Sequence, residues 1–92
     1  MNNIQTFDSV WDALENDPVK AENMKLRSSL LMTITTRIEQ EGLNQTQAAK
    51  RLNITQPRVS ALISGKIEKF RLDTLVDFAH RLGLQVSIEV AA

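Results

Sequence analysis

Cationic side chains that could bind a polyanion are concentrated in the middle of this sequence. Residues 26–71 carry eight Lys or Arg residues against three Glu residues, a formal charge of +5. Residues 1–25 carry two cations against five acidic residues (−3), and residues 72–92 carry one against three (−2), so the whole chain is formally neutral. Because the potential at a docking face matters more than the total charge, the middle segment could bind the phosphates of a nucleic acid.

The sequence offers little for catalysis or metal binding. It has no Cys, and His80 is its one His, with no carboxylate pair nearby at ligand spacing. We find no nucleophile–base pair and no phosphate-binding loop, so we expect no enzyme, no cofactor and no metal, and interpret His80 as a surface or rim histidine. There is no apolar run of about 18 residues and no export signal, and the lack of Cys fits a reducing compartment, so we expect a cytoplasmic protein without a membrane segment.

Two short helices joined by a tight turn are predicted within residues 43–66. Asn44 is a good N-cap for the first helix. Asn53 follows where the chain must reverse, and after Gly it is the residue that best tolerates a left-handed backbone. The apolar face of the first helix comprises Ala48, Ala49 and Leu52.

The second helix is predicted to begin after Thr55, which caps it. Pro57 lies in its first turn, where the missing N–H is not needed, and Gly65 is a natural residue to end it. Spacing of i, i+3, i+4 predicts a buried stripe of Val59, Leu62 and Ile63. The opposite face is polar, basic and slim, and comprises Pro57, Arg58, Ala61 and Ser64.

This stretch resembles the helix-turn-helix of the Cro and phage repressor family, the XRE-like group. The matching residues are Asn44-Gln45, Ala49, Ile54-Thr55-Gln56, Val59, Leu62 and Gly65-Lys66. Asn53 stands where the family usually has Gly. Pro57 and the small Ala61 stand where many relatives have longer polar side chains, which bears on the DNA sequence that is preferred.

The resemblance implies that the second helix lies in the major groove of DNA and the first crosses the backbone. Gln56 then corresponds to the leading base reader, since its amide can pair with adenine N6 and N7, and Gln45 resembles the family's supporting Gln. Arg58 could contact guanine or phosphate. Pro57 and Ala61 are placed for apolar contact, and Asn44 is a further DNA-binding candidate. The candidates for phosphate contact are Thr55, Ser60, Ser64, Lys66 and Arg71.

Longer elements flank the motif. Asp17-Pro18 predicts the start of one helix that continues to Gly42. The segment 66–72 is expected to be a charged loop anchored by apolar residues, and a last helix should start at Asp73 or Thr74 and stop at Gly83. The apolar anchors of the loop are Ile67 and Phe70.

The C-terminal residues alternate between apolar and polar, which is typical of a half-buried strand. No second strong strand pattern exists, so we expect the strand to pair with its copy across a homodimer two-fold axis. Pairing near Ile4, or with the sheet edge of another protein, is the alternative. The expected dimerisation residues are Leu84, Val86, Ile88 and Val90.

The N-terminal arm has helical spacing in an acidic segment. A short helix is expected over residues 7–14, with apolar residues Phe7, Val10, Trp11 and Leu14. We interpret the arm as a packing element, with a site for a basic partner protein as the alternative. The expected fold class is mainly α: a five-helix Cro/repressor-like domain with a C-terminal strand. The boundaries are an arm at 1–17, a helical domain at 18–83 with the motif at 44–65, and a dimerisation strand at 84–92.

As a whole, the chain is similar to the antitoxins of HigA-like toxin–antitoxin modules. The resemblance covers residues 7–90 and includes the run Asn-Met-Lys-Leu-Arg-Ser-Ser-Leu. It implies a homodimer that represses its own operon on a palindromic operator in double-stranded DNA and neutralises a small basic RelE-like toxin. A stand-alone regulator without a toxin, or a protein-interaction module, are the alternatives. The candidate toxin-binding residues are Phe7, Trp11, Asp12 and Glu15.

Overall fold

The computed structural model describes residues 17–92, which form four α-helices and one turn of 3₁₀ helix. The elements are α1 (Pro18–Gln40), α2 (Gln45–Leu52), α3 (Gln56–Ile63), the 3₁₀ turn (Ile67–Lys69) and α4 (Leu72–Arg81). A mainly helical fold is confirmed, but the expected count of five helices is wrong for the described part of the chain. The helix expected over residues 7–14 lies outside it. No helix within residues 17–92 combines the length and apolar character needed to cross a membrane.

Helix α1 begins and continues as the sequence predicts. The Asp17 carboxylate accepts from the backbone N–H groups of Val19 (3.2 Å) and Lys20 (3.3 Å), and Pro18 occupies the first turn, where no N–H is required. The β-branched run at 33–36 lowers helix propensity, yet the helix passes through it unbroken. Ile34 within this run is fully buried, so packing compensates for the weak local preference.

One apolar core unites the four helices and the 3₁₀ turn. α1 packs against α4, the 3₁₀ turn and α3, while α2 packs against α3 and α4. The short helices of the motif are therefore fixed on a scaffold rather than on each other alone. The buried residues are Leu31, Ile34, Ile38, Ala48, Ala49, Leu52, Val59, Leu62, Phe70, Leu75, Phe78, Ala79 and Leu82.

All four helices end with a residue in the left-handed conformation, followed by backbone bonds that satisfy the last carbonyls. After α2 that residue is Asn53, with φ 59°. Its N–H donates to the carbonyl of Lys50 (3.3 Å), and the N–H of Ile54 donates to that of Ala49 (3.0 Å). This turn sets the angle at which α3 leaves α2, and the interpretation of Asn53 as the reversal point is confirmed.

Replacing Asn53 with alanine should destabilise the domain by about 1 kcal/mol, because a positive φ is unfavourable for a residue that has a Cβ but no polar side chain to bond the local backbone. Asn53→Gly, the matched control, should change the free energy of unfolding by no more than about 0.5 kcal/mol, since Gly adopts this conformation freely. Urea denaturation followed by circular dichroism measures both. Equal stabilities of the alanine and glycine variants would contradict the assignment of strain to this residue.

Two local predictions are wrong. Helix α4 begins at Leu72 rather than at Asp73 or Thr74; Arg71 is its N-cap residue and provides no side-chain cap. Packing of Phe70 and Leu75 in the core sets the start there. Ile63 is 46% exposed instead of buried, and it is the last residue of α3.

The predicted C-terminal strand is also wrong. Residues 84–92 form no strand, and the described residues supply no backbone partner for them. Leu84 is half-buried against the core, whereas Ile88 and Val90 are 80% and 88% exposed. Alternation indicated an extended chain with one apolar side, but a strand also needs a neighbour for its N–H and C=O groups.

Candidate nucleic-acid interface

The N-termini of α2 and α3 lie side by side, and each is fixed by its own cap. The Asn44 side chain accepts from the backbone N–H of Gln47 (2.8 Å), and the Gln47 side chain accepts from the backbone N–H of Asn44 (2.9 Å). At α3 the Thr55 hydroxyl accepts from the N–H of Arg58 (3.4 Å). Asn44 and Thr55 therefore hold the helix starts in place, whatever else they contact.

Helix α3 presents a polar surface opposite its anchors. Val59 and Leu62 are fully buried, which fixes the rotation of the helix about its axis. Ala61 was expected on the outer face, but it is half-buried and packs against the core. The exposed side chains of α3 and its C-cap include Gln56, Pro57, Ser60 and Ser64.

Gln56 is linked to α2, although not through the residue expected from the sequence. Its Nε2 atom donates to the Thr46 hydroxyl at 2.9 Å. Gln45 was expected to support this side chain, but within residues 17–92 no hydrogen bond joins Gln45 to it. The sequence contained one signal for the observed pair: Thr46 is the next residue after Gln45 and also lies in the first turn of α2.

Arg58 turns toward the protein rather than away from it. Its guanidinium carbon lies 4.5 Å from the centroid of the Phe70 ring, and Nη1 approaches the Lys69 carbonyl at 3.5 Å. Stacking on an aromatic face is favourable for a guanidinium group. Arg58 thus ties α3 to the segment that follows the 3₁₀ turn.

The remaining candidate cations are exposed. Lys66 follows α3, and no salt bridge involves it within the part of the chain that the structure describes. Arg71 lies 3.6 Å from the Asp73 carboxylate, and both side chains are largely exposed. Such a surface pair contributes little to the stability of the fold, since solvent screens the charges and side-chain entropy opposes the pairing. Both cations remain accessible to an anionic ligand.

Glu41 neutralises part of the basic segment. Its carboxylate binds Arg37 at 2.6 Å and Arg51 at 2.9 Å, and Arg51 also donates to the backbone carbonyl of Arg81 at 3.1 Å. This cluster joins the ends of α1, α2 and α4. The hydrogen bonds from Arg37, and then from Arg51, hold the pKa of Glu41 below its usual range. The sequence did not predict this ion-pair cluster, although the i, i+4 spacing of Arg37 and Glu41 is a signal for the first of its two salt bridges.

A Glu41→Gln variant should have a slightly lower Tm than the wild type at neutral pH. Because the pKa of Glu41 is lowered in the folded chain, its ionic contribution is present above the ordinary carboxyl range and is lost as the pH falls through the lowered pKa. The difference in Tm should therefore vanish in acid, and it should shrink at high salt. Thermal melts across pH test this, with Glu39→Gln on the same helix as control. A difference independent of pH would contradict the ionic assignment.

His80 is exposed on α4. Residues 17–92 contain no group of three or more His, Asp or Glu placed to hold a metal ion. The side chains that the structure brings together are amide, hydroxyl and cationic groups around α3. Their chemistry is hydrogen bonding and charge pairing with a partner that presents acceptors, donors and negative charge, as the major groove and its flanking phosphates do.

Comparison with known proteins agrees with this geometry. A family model described as a helix-turn-helix domain matches residues 14–91. A solved structure described as "Putative XRE Family Transcriptional Regulator" has 33% sequence identity and a TM-score of 0.74, and the match covers 78% of this chain and 81% of that one. No curated protein matches the chain. The two short capped helices, the turn at Asn53 and these relationships show that the chain belongs to the XRE-like helix-turn-helix family of DNA-binding transcriptional regulators.

Proposed function

We propose that this protein is a sequence-specific repressor that inserts α3 into the major groove and binds a palindromic operator as a homodimer. The observation that carries the proposal is the exposed Gln56 at the first turn of α3, on a helix whose rotation is fixed by buried Val59 and Leu62. A Gln amide on a rigid helix start can read a base edge, because it offers a donor and an acceptor in one plane.

Other residues around α3 are proposed to fix the position of the protein on the duplex. Pro57 and Ser60 are exposed beside Gln56 and lie close enough in sequence to meet the same groove. Gln45 lies in the first turn of α2, where helix N-termini favour phosphate. The proposed phosphate contacts, which carry register rather than sequence information, are Thr55, Ser64, Lys66 and Arg71.

Arg58 has a different proposed role. Because its guanidinium is stacked on Phe70, a direct base contact would require it to leave that ring. We propose that it orders the end of the interface and contacts phosphate through the part of its guanidinium that the ring does not cover. Asn44 is proposed to contribute through the helix start that it caps.

The homodimer is proposed because one copy reads too little DNA. Helix α3 has eight residues, about 12 Å at 1.5 Å per residue, and it can meet only a few base pairs. Two copies about 34 Å apart would read two half-sites, and a palindrome would match their two-fold axis. Exposed apolar Val86, Ile88 and Val90 are proposed to be covered in the dimer, while Leu84 packs on its own core.

The test is selection of bound sequences from a randomised duplex pool by the purified protein, followed by fluorescence anisotropy on the enriched duplex. We expect two inverted half-sites about one helical turn apart and a sedimentation mass of two protomers on one duplex. Enrichment of no sequence, with equal affinity for random duplexes, would sink the proposal. A single half-site bound by one protomer would contradict the homodimer but would still support base recognition by α3.

Lys66→Ala should weaken binding to every duplex by a similar factor and reduce the slope of log K against log salt by about 1, because one phosphate contact is lost. Anisotropy titrations between low and moderate salt measure the slope. Lys20→Ala, in the first turn of α1, is the matched control and should leave it unchanged. An unaltered slope in Lys66→Ala would remove that residue from the interface.

A second candidate function is neutralisation of a small basic toxin, and it is favoured by the acidic character of residues 1–25. The candidate residues Phe7, Trp11, Asp12 and Glu15 lie outside the described part of the chain. Co-expression with the product of an adjacent gene for a small basic protein tests it. A stable complex that Trp11→Ala weakens would support an antitoxin, whereas operator binding without any complex would leave a stand-alone regulator.

A further inference from the structure

The amide of Gln56 is held before any partner arrives. Its Nε2 atom donates to Oγ1 of Thr46 at 2.9 Å, and both residues are exposed at the adjoining N-termini of α2 and α3. Exposed Gln side chains are otherwise free to rotate, and that freedom is lost on binding. A side chain that is already fixed loses less conformational entropy on binding.

We propose that Thr46 is the positioning residue for Gln56: its hydroxyl holds the amide at the start of α3, with one N–H and Oε1 left to meet a base. The inference rests on the DNA-binding function proposed above. A Gln amide has two N–H donors and one carbonyl acceptor. When one N–H is taken by Thr46, the groove meets one N–H and Oε1. That donor–acceptor pair matches adenine, whose N7 accepts and whose N6 donates.

The reversed amide would favour a different base. If Oε1 faced Thr46, both N–H donors would point toward the groove, and guanine offers two acceptors there, N7 and O6. A hydroxyl can bond with either orientation, since it both donates and accepts. In the structure Nε2 is the atom that Thr46 binds, which leaves a donor and an acceptor toward the groove. The expected preference at the base pair read by Gln56 is therefore adenine over guanine, and the role of Thr46 is to hold the amide in place.

Thr46 is itself well placed for this task. It is the second residue of α2, next to the reciprocal Asn44–Gln47 cap that fixes the start of the helix. Ala48 and Ala49 anchor the same helix in the core. As a β-branched residue, Thr has few χ1 rotamers in a helix. The hydroxyl is thus presented by a fixed backbone on a stiff side chain.

The test uses a fluorescein-labelled duplex enriched by the wild-type protein and its single-base variants. Thr46→Val keeps the shape of the side chain without the hydroxyl, Thr46→Ser keeps the hydroxyl, and Thr46→Ala is a second hydroxyl-free variant with better helix propensity. We expect the valine and alanine variants to lose adenine-over-guanine discrimination at the Gln56-dependent position by about three- to tenfold. Affinity for a random duplex and Tm should stay near wild type, and the serine variant should retain discrimination.

A double variant separates positioning from direct contact. In a Gln56→Ala background, Thr46→Val should change discrimination no further, because nothing remains to be oriented. Unchanged discrimination in both hydroxyl-free variants, a uniform loss on all duplexes, a wild-type preference for guanine, or an undiminished effect in the Gln56→Ala background would each overturn the role of Thr46. Failure of the wild type to enrich any sequence would instead overturn the DNA-binding proposal, and this inference with it.

Discussion

Replacing Phe70 with alanine is expected to destabilise the domain by about 3–5 kcal/mol, the range for large-to-small changes of a buried aromatic residue. The Phe70 side chain is fully buried. Its ring meets that of Phe78 edge to face, with centroids 6.0 Å apart and an interplanar angle of 67°. The Arg58 guanidinium carbon also lies 4.5 Å from the centroid of the Phe70 ring. Small domains have total stabilities of about 5–15 kcal/mol, so this loss should remove a large share of the total.

Urea unfolding followed by circular dichroism measures the effect. Phe70→Leu is the matched control, and because it keeps most of the apolar volume it should lose clearly less stability than Phe70→Ala. The leucine variant still lacks the aromatic face, so a cycle with Arg58→Ala isolates the cation–π term, expected at about 0.5–1 kcal/mol. A loss below about 1 kcal/mol in Phe70→Ala would contradict the place of this ring in the core.

The parts of the fold that sequence reasoning predicted are those fixed by neighbours in the chain. Asp17-Pro18 marks the start of α1 because the cap and the fixed proline φ act within one turn. Asn53 marks the reversal because only the local backbone decides whether a left-handed residue is tolerated. The same holds for the cap at Thr55, whose partner is three residues away.

The failures involve partners that are distant in sequence. Alternation after Gly83 is compatible with an extended chain, but a strand depends on a second backbone that the pattern does not contain. Ile63 has the spacing of a core residue but is 46% exposed at the end of α3, because spacing along one helix does not show how far neighbouring elements cover its last turn. The start of α4 at Leu72 depends on core packing that no cap residue announces.

The interface shows the same division at finer scale. Gln56 could be singled out from sequence because its place in the motif is regular, and it is exposed at the start of α3. Its hydrogen-bond partner could not, since Gln45 and Thr46 are adjacent and the choice depends on the rotation of α2 against α3. Arg58 likewise had two open roles, and the position of Phe70 across the 3₁₀ turn decides where its guanidinium rests.

Gln56→Ala is expected to weaken binding to the enriched operator by about 1–3 kcal/mol per half-site, the usual effect of losing a bidentate base contact. The loss should be confined to one base pair in each half-site, since an amide reads one base edge. Substituting that base pair should cost the wild type a similar amount and cost the variant almost nothing. Anisotropy with the operator and its single-base variants measures the whole pattern.

Two features make this prediction discriminating. Gln56 is exposed, and its amide bonds only the exposed Thr46 among residues 17–92, so Tm should remain near wild type and a loss of binding cannot be ascribed to unfolding. Gln40→Ala also removes an exposed amide, at the end of α1, and it should leave both affinity and base preference unchanged. If Gln56→Ala lowered affinity for operator and mismatched duplexes by the same factor, its side chain would contact the backbone, and reading of the sequence would have to be reassigned to Pro57, Ser60 or Gln45.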